Sequence, residues 1–133
     1  MDYQKQQDTY EGTSAEKENF MTTITDEQMK ERLSQTKSYT LLLLKKTEKY
    51  AADPEVRKVI WEHGRRNMQL GEDGILPIVC PVRDESEIAG ICIFTASLEE
   101  VQKMYEEDPA IKAGYLSFEV HPCSGFPGSM LPK

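Results

Sequence analysis

The apolar positions of the chain change period from one segment to the next, and the changes mark its elements. In "YTLLLLKK", from Tyr39 to Lys46, apolar residues are consecutive. That is the pattern of a strand covered on both faces. From Asp53 to Gly74, in "DPEVRKVIWEHGRRNMQLGEDG", the spacing becomes helical: Val56, Ile60, His63, Asn67 and Leu70 form one stripe with Val59 beside it. Asp53 reads as the N-cap of this helix, Pro54 as its first residue, and Gly71 or Gly74 as its stop. "ILPIVCPV" and "IAGICIFTA" are two further strands joined by the charged loop "RDESE". "SLEEVQKMYEE" is a second helix. Ser97 and Glu100 have the spacing of a capping box, and Leu98, Val101, Met104 and Tyr105 form the buried stripe. In "YLSFEVH", Leu116, Phe118 and Val120 alternate with Tyr115, Ser117, Glu119 and His121, which is strand period.

The order β-α-β-β-α-β predicts an α+β, ferredoxin-like domain with a four-stranded antiparallel sheet and both helices on one face. Its first three strands are apolar on both faces, so the helix-free face is also apolar. A second copy packed against that face is the economical cover, and a homodimer is expected. The body spans residues 38–122. Residues 1–37 form a polar arm that is mobile to about residue 22, with a short helix over 25–34 started by Thr25-Asp26. Residues 123–133, rich in Pro and Gly, read as an extended surface tail.

Composition narrows the function. The chain has 133 residues, enough for one domain with a real core. Its formal charge is −7, from 23 acidic against 16 basic residues. Nucleic acid and anionic membrane surfaces are therefore not expected as partners, since both need clustered Lys and Arg. No stretch approaches the ~20 apolar residues of a membrane span, and no basic start leads into an apolar core as in a secretory signal. Cys80, Cys92 and Cys123 are an odd number without CxxC spacing, which fits reduced thiols and a cytoplasmic protein better than a disulfide framework or a zinc site. Nothing in the sequence calls for haem, flavin or a metal.

His63 faces the way the core residues face. It is either a satisfied core histidine or part of a site. Asp108 precedes Pro109, one turn and Gly114, the signature of an N-cap, but capping need not occupy both carboxylate oxygens. In this fold the end of the second helix can approach the middle of the first. A carboxylate there would orient His63 and make it a general base. No Ser or Cys sits on a sharp turn nearby, so proton transfer is favoured over nucleophilic attack. Arg66, Asn67 and Tyr115 are the candidate pocket residues. His121 lies beside Glu119 on the polar side of the last strand, and no HxH or HxxxH spacing supports a metal.

His63, "EDGIL" at Glu72–Leu76, Pro81, "IAGICIF" and above all "DPAIKAG" at Asp108–Gly114 resemble the YciI-like (YCII-related) family over residues 38–122. The resemblance implies a dimeric α/β barrel of ferredoxin-like protomers with a His–Asp pair as its active site, which falls here on His63 and Asp108. Some members of that family eliminate halide from chlorinated hydroxyquinols, and many have no assigned substrate. This sequence departs from the family pattern at Cys80-Pro81, where Gly-Pro is usual, and at Ala110, where an aromatic is usual. The function implied is lyase- or isomerase-like proton transfer on a small molecule. The alternative is a non-catalytic ligand-binding or regulatory module of the same fold.

Overall fold

The computed structural model describes residues 23–133. The expected mobile arm to about residue 22 lies outside them. Of the described residues, 23–35 belong to one compact unit and Thr36–Lys133 to another. The first holds one helix, α1 (Asp26–Ser34). The Thr25 hydroxyl accepts from the Gln28 N–H while the Gln28 side chain accepts from the Thr25 N–H, a reciprocal cap.

The second unit runs β1 (Lys37–Lys46), α2 (Glu48–Ala52), α3 (Val56–Glu72), β2 (Ile78–Pro81), β3 (Ile88–Phe94), α4 (Leu98–Glu106), α5 (Pro109–Lys112) and β4 (Leu116–Gly125). The four strands make one antiparallel sheet in the order β2-β3-β1-β4, so the fold is α+β and ferredoxin-like. Leu42 stands opposite Cys92 on one side and Val120 on the other, and this row sets which side chains share a face. Leu42, Leu44, Cys92, Phe94 and Leu116 face the helices and meet Val101 and Tyr105 of α4 in one core. Leu41, Leu43, Ile78, Ile91 and Ile93 alternate onto the helix-free face, where they are half-buried or exposed.

Local chemistry departs from the expected boundaries in two places. The sheet extends past residues 38–122 at both ends: Lys37 pairs with Gly125, and β4 continues through Pro122, Cys123 and Ser124. A proline is tolerated there because β4 is an edge strand. Asp53 does not cap α3. It ends the short helix α2, its Oδ1 accepts from the Glu55 N–H at 2.9 Å, and α3 starts after Glu55 with no side-chain cap. The tail reaches the helix-free face, where Phe126 and Met130 line a groove of about 650 Å³ with Tyr39, Ile78 and Ile93.

Ser97 caps α4 by accepting from the Glu100 N–H, one half of the capping box its spacing predicts. Val101 and Tyr105 of that helix are fully buried, with Leu98 and Met104 half-buried beside them. α5 is closed by Gly114 at φ +81°, a left-handed conformation that costs a residue with a Cβ about 1–2 kcal/mol. Thr47 holds this turn against the end of β1 through the Gly114 carbonyl, 2.6 Å. The turn matters because it fixes the residue at its other end, Asp108.

Candidate active site

The two most buried residues of α3 are polar. His63 is 8% exposed and Asn67 5%, while the apolar members of their stripe, Val56, Ile60 and Leu70, are only half-buried. Burial of polar side chains is costly unless they are hydrogen-bonded, and these two are bonded into one chain of contacts.

Asp108 begins it. Its side chain is fully buried at the N-cap of α5, where Oδ2 accepts from the Ala110 and Ile111 N–H groups at 3.0 and 3.3 Å. His63 Nδ1 lies 2.9 Å from both carboxylate oxygens. A carboxylate can only accept, so Nδ1 carries the hydrogen. Arg66 Nη1 stands 3.5 Å from Oδ1, an ion-pair contact that lacks hydrogen-bond geometry. Burial by itself would raise the Asp108 carboxyl. The hydrogen bond and charge of His63, then the two backbone N–H groups, outweigh burial and hold the carboxyl below the ordinary Asp range.

The chain continues on the other side of the imidazole. The Tyr105 hydroxyl, on α4, donates to Asn67 Oδ1 at 2.6 Å. This turns the Asn67 Nδ2 toward His63 Nε2, 3.3 Å away. Burial pushes the Tyr105 phenol far above its ordinary value, with Cys92 and Asp108 adding to the effect, so it keeps its proton. The tautomer of His63 is thus set from both ends: Nδ1–H points to Asp108, and Nε2 presents a lone pair. A histidine arranged this way can accept a proton at Nε2 while Asp108 stabilises the imidazolium that results.

His63 and Asn67 line usable space. Between α3 and the β2–β3 side of the sheet lies a cavity of about 500 Å³, a volume ordinary for a small-molecule pocket. Its wall is mostly apolar, including Leu44, Ile60, Leu76, Val82 and Ala89, with His63 and Asn67 among the few polar groups. Gly90, also on the wall, lets β2 approach β3 closely: a Cβ there would stand 3.1 Å from the Cys80 carbonyl oxygen. Cys92 lines the same wall, and burial, with Cys80 adding to it, pushes its thiol up to about 12, so it is inert.

The sequence candidates divide as follows. His63 and Asp108 meet, and Asn67 joins them at the cavity wall. Arg66 touches Asp108 from outside the cavity, with its guanidinium over the Tyr105 ring at 5.8 Å, and is not one of the lining residues. Tyr115 is elsewhere. Its hydroxyl donates to Asp53 Oδ2 at 2.7 Å and its ring carries the Lys49 ammonium at 4.7 Å, so it ties α2 to the start of β4 rather than facing the cavity. His121 is exposed and contacts Glu119 at 3.4 Å, outside this cluster. By its spacing alone Tyr105 belongs to the core-packing stripe of α4. The available signal was a hydroxyl on a stripe that must be buried, since such a group needs a partner. Among the described residues, no three His, Cys, Asp or Glu side chains converge to hold a metal, and no helix is long and apolar enough to cross a membrane.

No protein-family model matches the chain, and no curated protein does. Among solved structures the chain is similar to 5-chloro-2-hydroxyhydroquinone dehydrochlorinase (TftG) from Burkholderia phenoliruptrix AC1100, solved with 2,5-dihydroxybenzoquinone. The two share 20% identity at a TM-score of 0.44, over 62% of this chain and 90% of that one.

Proposed function

We propose that the chain is a cytoplasmic small-molecule enzyme of the YciI-like type that moves a proton in a lyase- or isomerase-like reaction. His63 is the general base at Nε2, and Asp108 orients and stabilises it. The observation that carries this reading is the buried Nδ1 contact to both oxygens of Asp108, made by a histidine that lines a mostly apolar cavity. The test is a panel of apolar carbonyl, hydroxyl and halogenated compounds in D2O, read by mass spectrometry for deuterium uptake or elimination. The wild-type protein is expected to turn over at least one class, and His63→Ala to lose about 10²–10⁴-fold of that rate. Binding without turnover, or full activity in His63→Ala, overturns the reading.

The same reading makes the chain a homodimer joined through its helix-free sheet face. Leu41, Leu43, Ile78, Ile91 and Ile93 form an apolar band there, edged by Lys45 and Glu119, which pair at 3.2 Å. A band of this kind with a polar rim suits a symmetric contact. Leu43→Glu puts a carboxylate at its centre and is expected to shift the protein to monomer in sedimentation velocity. A wild-type protein that sediments as a monomer overturns the dimer, and a dimer unchanged by Leu43→Glu overturns this face as its contact.

A further inference from the structure

We infer that Asn67 is the oxyanion donor of this site, and that the site takes an uncharged, largely apolar carbonyl compound with a removable hydrogen on the carbon beside the carbonyl. The inference rests on His63 being the base and adds the second group that such a base needs.

The argument starts from the count of donors and acceptors. Neutral His63 has one lone pair at Nε2, and the Asn67 amide nitrogen stands on it at 3.3 Å, longer than a well-formed N–H···N contact. The amide nitrogen has two hydrogens, and among the described residues His63 is its one side-chain partner. Its orientation is not free. Tyr105 is fully buried, its hydroxyl bonds the amide oxygen at 2.6 Å, and Asn67 is the one acceptor it meets among the described residues. Reversing the amide would set its nitrogen against the hydroxyl and leave the phenolic hydrogen unpaired in the core. The amide is therefore held with its donor side toward the imidazole, and both residues line the cavity.

His63 and Asn67 are four apart on α3, so one helical turn fixes their separation. An acidic hydrogen beside a carbonyl and the oxygen that receives its charge lie on neighbouring carbons. That is a separation a base and a donor 3.3 Å apart can address together. On binding, the hydrogen of the ligand replaces the amide on the Nε2 lone pair, and the freed N–H turns to the carbonyl oxygen. The C–H bond then breaks with its hydrogen passing to Nε2. Its electron pair forms the carbon–carbon double bond as the carbonyl π pair moves onto oxygen. Asn67 donates to the oxyanion, Asp108 faces the imidazolium, and the proton returns by the same path.

The wall selects against charge on the rest of the ligand. Lys46 is the one ionic side chain of the lining, and its ammonium is engaged with the Asp84 carbonyl at 3.3 Å and with the Tyr50 ring at 5.9 Å. A carboxylate or phosphate on the ligand would find a single, partly engaged ammonium at the exposed edge of an otherwise apolar wall, so an uncharged ligand suits the wall better.

The probe is 2-indanone, an apolar ketone with acidic hydrogens beside its carbonyl, followed by loss of its α-proton signal in D2O. The wild-type protein is expected to accelerate the exchange, His63→Ala to abolish the acceleration, and Asn67→Ala to lower it about 10²–10³-fold, the cost of one oxyanion donor. Asn67→Asp keeps the volume and the acceptor for Tyr105 but replaces the donor with an anion. It is expected to lose as much, and it serves if the alanine variant does not fold. Tyr105→Phe tests positioning: the loss should fall on turnover rather than on the half-saturating ketone concentration, with the downfield Nδ1 proton of His63 retained. Wild-type rates in both Asn67 variants, with exchange lost in His63→Ala, overturn the oxyanion role alone. No acceleration by the wild-type protein overturns the carbonyl class. Exchange retained in His63→Ala overturns the base itself.

Discussion

Asp108→Asn is expected to lower turnover by about 10⁴-fold, the loss that follows when a buried His–Asp pair is given the wrong tautomer. The reason lies in the contacts on both sides of the ring. The amide oxygen of the variant can still accept from Ala110 and Ile111, so the turn keeps its cap. Its nitrogen then takes the Oδ1 position and faces His63 Nδ1 with a hydrogen, which favours moving the imidazole hydrogen to Nε2, although the amide oxygen at Oδ2 stays within reach of Nδ1. There it meets the Asn67 amide nitrogen, also a donor. The base loses its lone pair and the wall gains two opposed donors. Nitrogen-15 spectra of the histidine should show the hydrogen moving from Nδ1 to Nε2. An unchanged tautomer with unchanged turnover would make Asp108 a cap and nothing more.

Asp108→Ala goes further, because it also leaves the two backbone donors and the Arg66 guanidinium without their carboxylate. Removing one member of a buried pair costs about 3–5 kcal/mol, measurable as a fall in the urea midpoint. The wild-type carboxyl is held below its ordinary value in the folded protein. Its contribution to stability is therefore complete above the ordinary Asp value of 3.8 and is lost as the pH falls through the folded-state value. The stability difference between wild type and Asp108→Ala should narrow over that acid range.

Phe94→Ala is the second large effect. Phe94 is fully buried on β3 and meets the Tyr105 ring edge-on, with centroids 5.6 Å apart. Truncating a buried phenylalanine costs about 3–5 kcal/mol, from lost transfer energy and the cavity left behind. The cavity would open directly against the ring that fixes the Asn67 amide. Thermal unfolding should show the destabilisation. At temperatures where the variant is fully folded, turnover should fall as well, although Phe94 is not among the cavity-lining residues. Loss of stability with turnover intact would show that Tyr105 holds its place through α4 alone.

How far the site was legible follows from how far apart its members are. The stripe carrying His63 and Asn67 can be read from spacing within one helix, and the Asp108 cap from the seven consecutive residues 108–114. Their meeting depends on how α3 and α5 pack, which spacing alone does not give. The Tyr105 link is less legible still, since its partner is 38 residues away and its neighbours on α4 are plain core. Asp53 shows the opposite failure. Asp-Pro before a helical pattern looks the same whether the Asp caps that helix or, as here, closes the short α2 and accepts from Glu55 and Tyr115. The tail composition was likewise misleading from Pro122 to Gly125, because an edge strand tolerates residues that a central strand excludes.

The bond between His63 and Asp108 joins the two βαβ-type halves of the domain across 45 residues of sequence. Neither half owns the site. A chain still emerging from the ribosome exposes His63 long before its partner, and it stays chemically silent until α5 has folded against α3. A fragment cut in the "RDESE" loop would carry one member of the pair on each piece. If the pair is the base proposed above, turnover would count completed folds: partly folded molecules, however helical, would contribute nothing to it.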